Sequence, residues 1–272
     1  MNFLEYAGKQ VLQNAGIRIP AGYVTNSAEQ AAQVARQIGP CVVKAQVPTG
    51  KRGKAGGIRL AKDPAEARRH ATEILGMTIG GHKVESVLID PQVRITREMY
   101  AAVLNDPASK SPLLLFAADG GMDIEELAAT RPGSLIRIAI DIRKGLSAAM
   151  LDEALPRTLP VERSKLVAVL RKLYAAYAAS DAELLEINPL VVTGKGDLLA
   201  LDCKYILDDS AIPRREELAR SGSPDRLTAL EKRAQDLGLK FIELPGEVGV
   251  LANGAGLTMT TMDAIGHFGG AP

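Results

Sequence analysis

Two apolar runs of the sequence each carry polar side chains suited to binding a metal ion. The run over 184–192 holds Glu186 and Asn188, and the run over 198–202 ends at Asp202. Acids and amides are costly to bury without partners. Their oxygens are also the hard ligands that Mg²⁺ accepts in a nucleotide site. The two runs therefore indicate a site for a metal-bound nucleotide.

The spacing of the two runs predicts which of these side chains meet. The segment between them contains two glycines and is typical of a β-hairpin loop. If Val192 pairs with Leu198, Asn188 lies opposite Asp202. Glu186 shares their face, because side chains alternate along a strand. The opposite face, expected to point toward a core, holds Leu185, Ile187 and Leu201. The hairpin alone leaves open a ribbon whose polar residues only face solvent.

A second candidate is a glycine-rich basic loop. Lys44 ends a short apolar strand-like run, where its charge needs a partner, and residues 50–57 then contain four glycines and three basic residues. Glycines let backbone N–H groups approach an anion, and basic side chains neutralise phosphate charge. The spacing differs from that of the P-loop, which disfavours that class. A flexible basic surface turn is the alternative.

A third candidate is the apolar run over 87–89, which ends at Asp90. A carboxylate at the end of a strand can accept a hydrogen bond from an adenine amine or a ribose hydroxyl. The alternative is a simple strand exit capped by an Asp-Pro pair, and taken alone this segment favours that alternative.

Composition limits the classes of protein that the chain can belong to. It has 272 residues, 46% of them hydrophobic, and a net charge of +1. Such a charge predicts no broad attraction to nucleic acid or to an anionic membrane surface. No apolar run approaches a membrane span, and the first residues lack a signal-peptide pattern. Cys41 and Cys203 lie in apolar runs, as expected of buried thiols in a reducing compartment. We therefore expect a cytoplasmic protein.

The elements that must position these residues form a mixed pattern of helices and strands. Asn2 and Glu5 have the spacing of a capping box, which predicts a helix from about residue 3 to Gly16. Helices are also predicted from Ser27 to Gly39, from Pro64 onward, over about 147–153 and 161–178, and after Gly120–Gly121. Strands are predicted over 21–24, 41–45, 57–61, 86–89, 99–104, 113–116 and 135–140. A strand over 248–252, a glycine-rich turn at 253–256 and a helix over 257–267 complete the pattern. This mixture favours an α+β or α/β fold.

In combination these motifs resemble one family, the β subunits of succinyl-CoA synthetase and related ADP- or GDP-forming carboxylate–CoA ligases. The resemblance runs nearly end to end and rests on several motifs in one order. They are Met1-Asn2-x-x-Glu5-Tyr6, Val43-Lys44, Arg52-Gly53-Lys54-Ala55-Gly56-Gly57, Gly120-Gly121-Met122-Asp123-Ile124-Glu125, Glu186-Ile187-Asn188-Pro189-Leu190 and Asn253-Gly254-Ala255-Gly256-Leu257.

The resemblance implies a fold and a domain organisation. It implies an ATP-grasp nucleotide-binding domain over 1–237, with 21–95 as its N-terminal subdomain. Residues 238–272 would be the start of a flavodoxin-like CoA-ligase domain, so we expect a chain that stops early in that domain.

The resemblance also implies roles for individual residues. Lys44 would contact the nucleotide phosphates, and Mg²⁺ would bind to Asn188 and Asp202. The loop covering the phosphates would contain Lys51, Arg52 and Gly53. The base and ribose pocket would include Asp90, the backbone of Val93, and Glu98. Asn253 would lie at the carboxylate-substrate site.

The implied reaction needs ATP, a carboxylate substrate, CoA and a partner α subunit. A histidine of the α subunit is phosphorylated by ATP, the phosphoryl group passes to the carboxylate, and CoA displaces phosphate. These phosphoryl steps need charge neutralisation and positioning more than covalent help. The CoA site and the phosphohistidine would both belong to the α subunit, and the acid would be succinate, malate or citrate.

Two departures from the family pattern leave alternatives open. The family loop reads Gly-Arg-Gly where this chain has Lys51-Arg52-Gly53, and the base-pocket glutamate is replaced by the shorter Asp90. A non-catalytic assembly or regulatory subunit is therefore one alternative. An ATP-grasp ligase that does not use CoA is the other. Retention of Lys44, Asn188 and Asp202 favours a catalytic subunit.

Overall fold

The computed structural model describes residues 1–121, 124, 129–224 and 227–272. The chain divides into two compact units, unit 1 over Met1–Pro224 and unit 2 over Asp225–Pro272. The helix predicted to follow Gly120–Gly121 lies largely outside the described residues.

Unit 1 contains both helices and strands. Its strands are β1 Asn2–Phe3, β2 Tyr23–Thr25, β3 Cys41–Gln46, β4 Ile58–Ala61, β5 Thr78–Ile79, β6 His82–Lys83, β7 Ser86–Pro91, β8 Ile95–Asp106, β9 Ser111–Ala117, β10 Ile136–Ala139, β11 Ala182–Thr193, β12 Leu198–Ala200, β13 Lys204–Leu207 and β14 Gly222–Ser223. Its α-helices are α1 Glu5–Asn14, α2 Ala28–Ile38, α3 Pro64–Ile74, α4 Ala148–Ala154, α5 Arg163–Ala179 and α6 Glu216–Ala219. Short 3₁₀ turns cover Pro132–Ser134 and Asp209–Arg214.

The strands of unit 1 form two main antiparallel sheets. Sheet 1 has the order β10-β9-β8-β11-β13-β1-β14, with β12 paired to β11. Sheet 2 has the order β2-β7-β3-β4, and β5 and β6 pair with each other. Every strand pair in these sheets is antiparallel. The mixed helix and strand content predicted from the sequence is confirmed.

Each sheet has its own hydrophobic core. On one face of sheet 1, the inward residues of β8 and β11 pack with α1 and α5, and the buried side chains include Leu12, Leu170 and Ile187. Sheet 2 buries a second core with α2 and α3. The opposite face of β8 and β9 buries a third, smaller cluster. This division follows from period-2 alternation, since Met99 and Tyr100 point to different clusters.

Local sequence signals explain two of the helices in unit 1. The backbone N–H of Gln30 donates to Ser27 Oγ at the start of α2, and the N–H of Glu66 donates to the Asp63 side chain at the start of α3. Such caps satisfy N–H groups that the first turn leaves without partners. Pro64 occupies the first turn of α3, where a missing N–H costs nothing.

The capping box predicted at the start of α1 is wrong. Asn2 belongs to β1, and Leu4 occupies the N-cap position without a side-chain hydrogen bond. Glu5 does not turn back toward the helix end. It is 2% exposed, because buried cations described below attract its carboxylate more strongly than a surface N–H group does.

The hairpin register predicted from the sequence is confirmed. Val192 pairs with Leu198, and Leu190 pairs with Ala200. The Leu201 N–H donates to the Pro189 carbonyl at 3.1 Å, which continues the same register one step beyond β12. Leu185 and Ile187 are fully buried in the core as expected, whereas Leu201 is only half-buried.

Unit 2 contains two helices, α7 Ala229–Asp236 and α8 Ala255–His267. A capping box of Thr228 and Glu231 begins α7. The predicted strand over 248–252 is wrong, because no described strand pairs with this segment; the N–H of Val248 instead donates to the Ala271 carbonyl. None of residues 227–272 is fully buried. Among the described residues, no helix is both long and apolar enough to span a membrane.

Candidate nucleotide and metal site

A cavity of about 430 Å³ in unit 1 brings together two of the three sequence candidates. One wall is the glycine-rich loop, including Lys51, Arg52 and Gly53. The other wall comes from sheet 1 and includes the hairpin residues Asn188 and Asp202. The volume lies within the range of small-molecule sites. The cavity is also lined by Asn2, Phe3, Glu5, Lys54, Gly121, Ile124, Glu186, Pro189, Cys203 and Lys204.

The hairpin wall presents three oxygen-bearing side chains. Asn188 Oδ1 accepts a hydrogen bond of 2.9 Å from the Gly121 N–H. Glu186 Oε2 accepts one of 3.2 Å from the Tyr100 hydroxyl. Asp202 Oδ1 accepts a hydrogen bond of 2.7 Å from the Cys203 N–H. The shared face predicted for Glu186, Asn188 and Asp202 is confirmed, because all three line one cavity.

The loop wall is held by its own arginine. Arg52 is buried, and its Nη1 donates to Glu5 Oε2 at 2.7 Å and to the Ala45 carbonyl at 2.9 Å. Its Nη2 donates to Asp202 Oδ2 at 2.7 Å. The guanidinium therefore connects the loop to both β3 and the hairpin wall. Such fork-shaped contacts to carboxylates are among the stronger hydrogen bonds in proteins.

The base of the loop needs glycine for a close approach. A Cβ at Gly57 would lie 2.6 Å from Ile79 Cδ1 and 3.0 Å from Ala45 Cβ. The Gly57 N–H donates to the Arg52 carbonyl, and its own carbonyl accepts from the Ala45 N–H. These bonds close the loop against β3.

Behind the cavity lies an ion cluster of six side chains. The ammonium group of Lys9 lies 2.6 Å from Glu5 Oε1 and 2.6 Å from Asp90 Oδ2. The ammonium group of Lys44 lies 2.9 Å and 2.8 Å from the same two oxygens. Arg52 joins Glu5 to Asp202 as described. The ion cluster thus consists of three cations and three anions: Lys9, Lys44, Arg52, Glu5, Asp90 and Asp202.

The charges of the ion cluster determine its protonation. Burial alone would raise the pKa of Glu5, but Lys44, Arg52 and Lys9 outweigh burial and hold that pKa well below its usual value. Burial would lower the pKa of Lys44, but Glu5, Asp90 and Asp202 raise it above its usual value. Burial and the nearby charge of Glu5 raise the pKa of Asp202 against the pull of Arg52 and Lys44.

The structure places Lys44 and Asp90 behind the cavity, not in its wall. Lys44 is held by Glu5, by Asp90 and by the Leu201 carbonyl at 2.7 Å. Asp90 is 2% exposed, and its Oδ1 has no hydrogen-bond partner among the described residues. A Cβ at Gly22 would lie 2.1 Å from that oxygen, so the backbone of Gly22 covers it. A nucleotide base would reach Asp90 only after this cover moves.

The sequence candidates Val93 and Glu98 are not part of the cavity lining, and Asn253 belongs to unit 2. Val93 is half-buried between β7 and β8. Glu98 is half-buried on β8 and lies against Gly121, where an added Cβ would come within 1.8 Å of Glu98 Oε2. Asn253 is exposed in unit 2, in the turn before α8. The structure therefore groups Lys51, Arg52, Gly53, Asn188 and Asp202 in one cavity, without Val93 and Glu98 in its lining.

The oxygen donors of the hairpin wall fit a magnesium ion. Asn188 offers an amide oxygen and Asp202 a carboxylate, and each oxygen has further lone pairs beyond the hydrogen bonds described above. In the part of the chain that the structure describes, no group of three or more His, Cys, Asp or Glu residues is placed to hold a metal ion. A site with so few protein ligands suits Mg²⁺, which keeps waters and takes phosphate oxygens.

Sequence reasoning missed three residues at or behind the cavity, namely Glu5, Lys9 and Lys204. Glu5 and Lys9 were hidden because the start of α1 resembled a surface cap; their spacing of four residues on one helix face was the available signal. Lys54 and Lys204 line the cavity, and neither ammonium group makes a hydrogen bond or ion pair with a described residue. The register of β11 and β13 places Lys204 opposite Glu186.

Comparisons with known proteins identify the family of the chain. The model of the ATP-grasp domain matches residues 2–192. The β subunit of the ADP-forming succinate–CoA ligase of Rubrobacter xylanophilus is 43% identical over 275 residues, covering 100% of this chain and 72% of the relative. The β subunit of the GDP-forming succinate–CoA ligase of Thermus thermophilus is 42% identical over 274 residues, with the same coverage.

Solved structures support the fold. The ATP citrate lyase of Methanothrix soehngenii, solved with citrate and coenzyme A, superposes with a TM-score of 0.73 and 22% identity over 99% of this chain and 69% of that one. A dinucleotide-forming acetyl-coenzyme A synthetase of Ca. Korarchaeum cryptofilum superposes with a TM-score of 0.62 and 19% identity over 76% of this chain and 93% of that one. The ATP-grasp fold expected from the resemblance is confirmed. The chain belongs to the family of succinate–CoA ligase β subunits.

Proposed function

We propose that the chain is the nucleotide-binding β subunit of an ADP-forming carboxylate–CoA ligase. The observation that carries this proposal is the convergence of Asn188 and Asp202 with the glycine-rich loop on one cavity. A nucleotide polyphosphate needs backbone N–H groups, cations and a metal ion within a few ångströms of one another. The cavity provides the loop backbone, the side chains of Lys51, Arg52 and Lys54, and the oxygens of Asn188 and Asp202 that would bind the metal ion.

Within this proposal the chain's own groups neutralise and orient phosphate. The guanidinium of Arg52 is planar and can donate hydrogen bonds to two phosphate oxygens at once. Lys44 stays charged, because its carboxylate partners raise its pKa. It pairs with Glu5, which also binds Arg52. Mg²⁺ held by Asn188 and Asp202 would neutralise further phosphate charge when bound. The predicted contacts of Asp90, Val93 and Glu98 with base and ribose stay predictions.

The remaining partners are proposed from the relatives. A partner α subunit would carry the histidine that accepts the phosphoryl group and the CoA site. The acid would be succinate, as the names of the most similar relatives suggest, with malate and citrate as the competing acids. Residues 1–237 would form the nucleotide-binding domain, and 238–272, with Asn253 near the acid, the beginning of a CoA-ligase domain. Cytoplasmic location stays a prediction.

Calorimetry with ADP, in Mg²⁺ and in EDTA, tests the nucleotide and metal assignments. We expect the wild type to bind ADP more tightly with Mg²⁺ than without it. Asp202→Asn keeps the size of the side chain and removes its charge, so the enhancement by Mg²⁺ should disappear. Binding of metal-free ADP should not weaken, because Arg52 is then free to turn toward phosphate.

Asp152→Asn is the matched control, because Asp152 is an exposed carboxylate of α4 remote from the cavity lining. It should bind ADP as the wild type does, with and without Mg²⁺. If Asp202→Asn keeps the full enhancement by Mg²⁺, Asp202 is not a metal ligand. If the folded wild type binds neither ADP nor ATP, a non-catalytic assembly or regulatory subunit is the better description.

A second experiment identifies the acid. The chain is combined with its cognate α subunit, and CoA-dependent ADP formation is measured with succinate, malate and citrate in turn. We expect succinate to give the highest rate. ADP formation that depends on none of these acids, or that does not need CoA, would favour an ATP-grasp ligase of another kind.

A further inference from the structure

Glu5 lies at the centre of the ion cluster and also lines the cavity. One of its oxygens, Oε1, accepts from Lys9 and Lys44 at 2.6 Å and 2.9 Å. The other, Oε2, accepts from Arg52 Nη1 at 2.7 Å. Glu5 of α1 therefore binds Lys44 of sheet 2 and Arg52 of the glycine-rich loop at the same time.

The two sides of the Arg52 guanidinium have different environments. Nη1 is held by two acceptors that belong to the protein interior, Glu5 Oε2 and the Ala45 carbonyl. Nη2 is held by Asp202, whose side chain is 29% exposed on the cavity side. Asp202 is also the carboxylate that would bind the metal ion. A metal ion bound there competes with Nη2 for the same oxygens.

We propose that Glu5 is a positioning residue for nucleotide binding, and that it anchors Nη1 of Arg52 so that Nη2 can pass from Asp202 to a phosphate oxygen. The exchange keeps charges paired throughout. Before binding, Asp202 is neutralised by Arg52. After binding, Mg²⁺ neutralises Asp202 and Arg52 neutralises phosphate. This inference rests on the proposed function of the cavity and adds a residue of α1 to it.

Simple electrostatics predicts the opposite effect of removing the Glu5 charge. A carboxylate beside the cavity repels a polyphosphate, so its neutralisation should tighten nucleotide binding if charge alone mattered. Loss of the anchor should weaken binding instead, because a mobile guanidinium must be ordered when the ligand binds. The sign of the change therefore separates a positioning role from a general field effect.

The experiment measures Mg-ADP affinity by calorimetry in Glu5→Gln, in Arg52→Lys and in the double variant. Arg52→Lys keeps the charge but removes the two-sided guanidinium. The single ammonium group cannot contact Glu5 on one side and Asp202 or a phosphate oxygen on the other. Each single change should weaken binding about tenfold, the size expected for one charge-assisted hydrogen bond. The double variant should bind about tenfold more weakly than the wild type, as each single variant does. A loss of about a hundredfold is not expected, because both changes remove the same contact.

Lys54→Gln provides the matched comparison. Lys54 belongs to the same loop and lines the same cavity, but it is not among the described ion-pair partners of Glu5, which are Lys9, Lys44 and Arg52. Its effect on affinity should add to that of Glu5→Gln. Additive effects of Glu5→Gln and Arg52→Lys would overturn the proposal, and so would unchanged or tighter binding in Glu5→Gln.

Thermal unfolding checks that Glu5→Gln is folded. If it is not, Glu5→Asp takes its place, since it keeps the charge but is too short to reach Lys44 and Arg52 together. Glu5→Asp should then weaken Mg-ADP binding several-fold, and wild-type affinity in this variant would overturn the proposal. In these measurements the proposed function is contradicted by a wild type that binds no nucleotide, whereas the proposal for Glu5 is contradicted by the variants, so the two failures are distinguishable.

Discussion

Lys51 is the residue at which this chain departs most clearly from its family pattern, and the structure shows what the departure costs. Its φ angle is +61°, in the left-handed region that favours glycine. The family loop has glycine at this position, as the resemblance implied. A side chain there crowds the following carbonyl group. Lys51 therefore adds a cation to the cavity wall at the expense of backbone strain.

The strain predicts a stability difference between two truncations of this side chain. Lys51→Gly and Lys51→Ala both remove the charge, but only glycine accepts the positive φ without strain. We expect Lys51→Gly to have a free energy of unfolding about 1 kcal/mol higher than that of Lys51→Ala in urea titrations. Equal stabilities would mean that the loop does not keep this conformation in solution.

At the residue scale the sequence predicted one half of the site well. Asn188 and Asp202 were placed face to face by counting along two strands, because alternation and register are local rules. Glu5 could not be found in this way. Its partners Lys44 and Arg52 lie 39 and 47 positions away in the chain, and only the folding of unit 1 brings α1 next to β3 and the glycine-rich loop. The capping pattern at the N-terminus, which is a local rule too, pointed elsewhere.

At the scale of elements, the connection between α5 and β11 depends on one carboxylate. Asp181 has a φ of +52°, and its carboxylate accepts from Arg214 Nη2 at 2.7 Å and from Arg215 Nε at 2.6 Å. Hydrogen bonds from these two arginines lower the pKa of Asp181 to about 2. The turn is thereby connected to the segment that follows β13.

This contact predicts a pH-dependent contribution to stability. The pKa of Asp181 is lower in the folded chain than in the unfolded one, so its contribution is complete above about pH 4 and is lost as the pH falls toward 2. Asp181→Asn keeps a side chain that tolerates the positive φ. At pH 7 it should lower the free energy of unfolding by about 1 kcal/mol, since the contact is partly exposed to solvent.

Urea unfolding at pH 7, 5 and 3 checks this expectation. The difference between the wild type and Asp181→Asn should be the same at pH 7 and 5 and clearly smaller at pH 3. A difference that does not change with pH would show that the two arginines do not pair with the ionised carboxylate.

Several elements with strong local signals were predicted correctly, and some elements that depend on distant partners were not. The caps of α2 and α3 and the hairpin of β11 and β12 follow from neighbouring residues. The segment over 248–252 is as apolar as a strand but forms none, because a strand needs a hydrogen-bonded neighbour. The two-residue strand β1 forms only because it pairs with β13 on one side and β14 on the other, and neither partner is near it in the sequence.

At the scale of the whole of unit 1, the ion cluster lies where two hydrophobic cores meet. Its acids and bases come from α1, from sheet 2 and from the hairpin side of sheet 1. Ionised groups lose much hydration free energy when they are buried, so they must balance one another. The cluster contains equal numbers of cations and anions, and the loss of one member therefore affects all of them.

This balance predicts a strong coupling between Lys9 and Asp90. Lys9→Met leaves an excess of buried negative charge, and Asp90→Asn leaves an excess of positive charge. Each should lower the free energy of unfolding of unit 1 by about 3 kcal/mol, as measured by chemical denaturation. The double variant restores neutrality, so its loss of stability should be well below the sum of the two single losses. Lys165→Met is the control, because this lysine makes only exposed contacts, an ion pair with Glu162 and a hydrogen bond to the Gly196 carbonyl, and their loss should cost less than about 1 kcal/mol. Strictly additive losses in Lys9→Met and Asp90→Asn would show that the six charges do not act as one network, and that the two cores are held together by their apolar contacts alone.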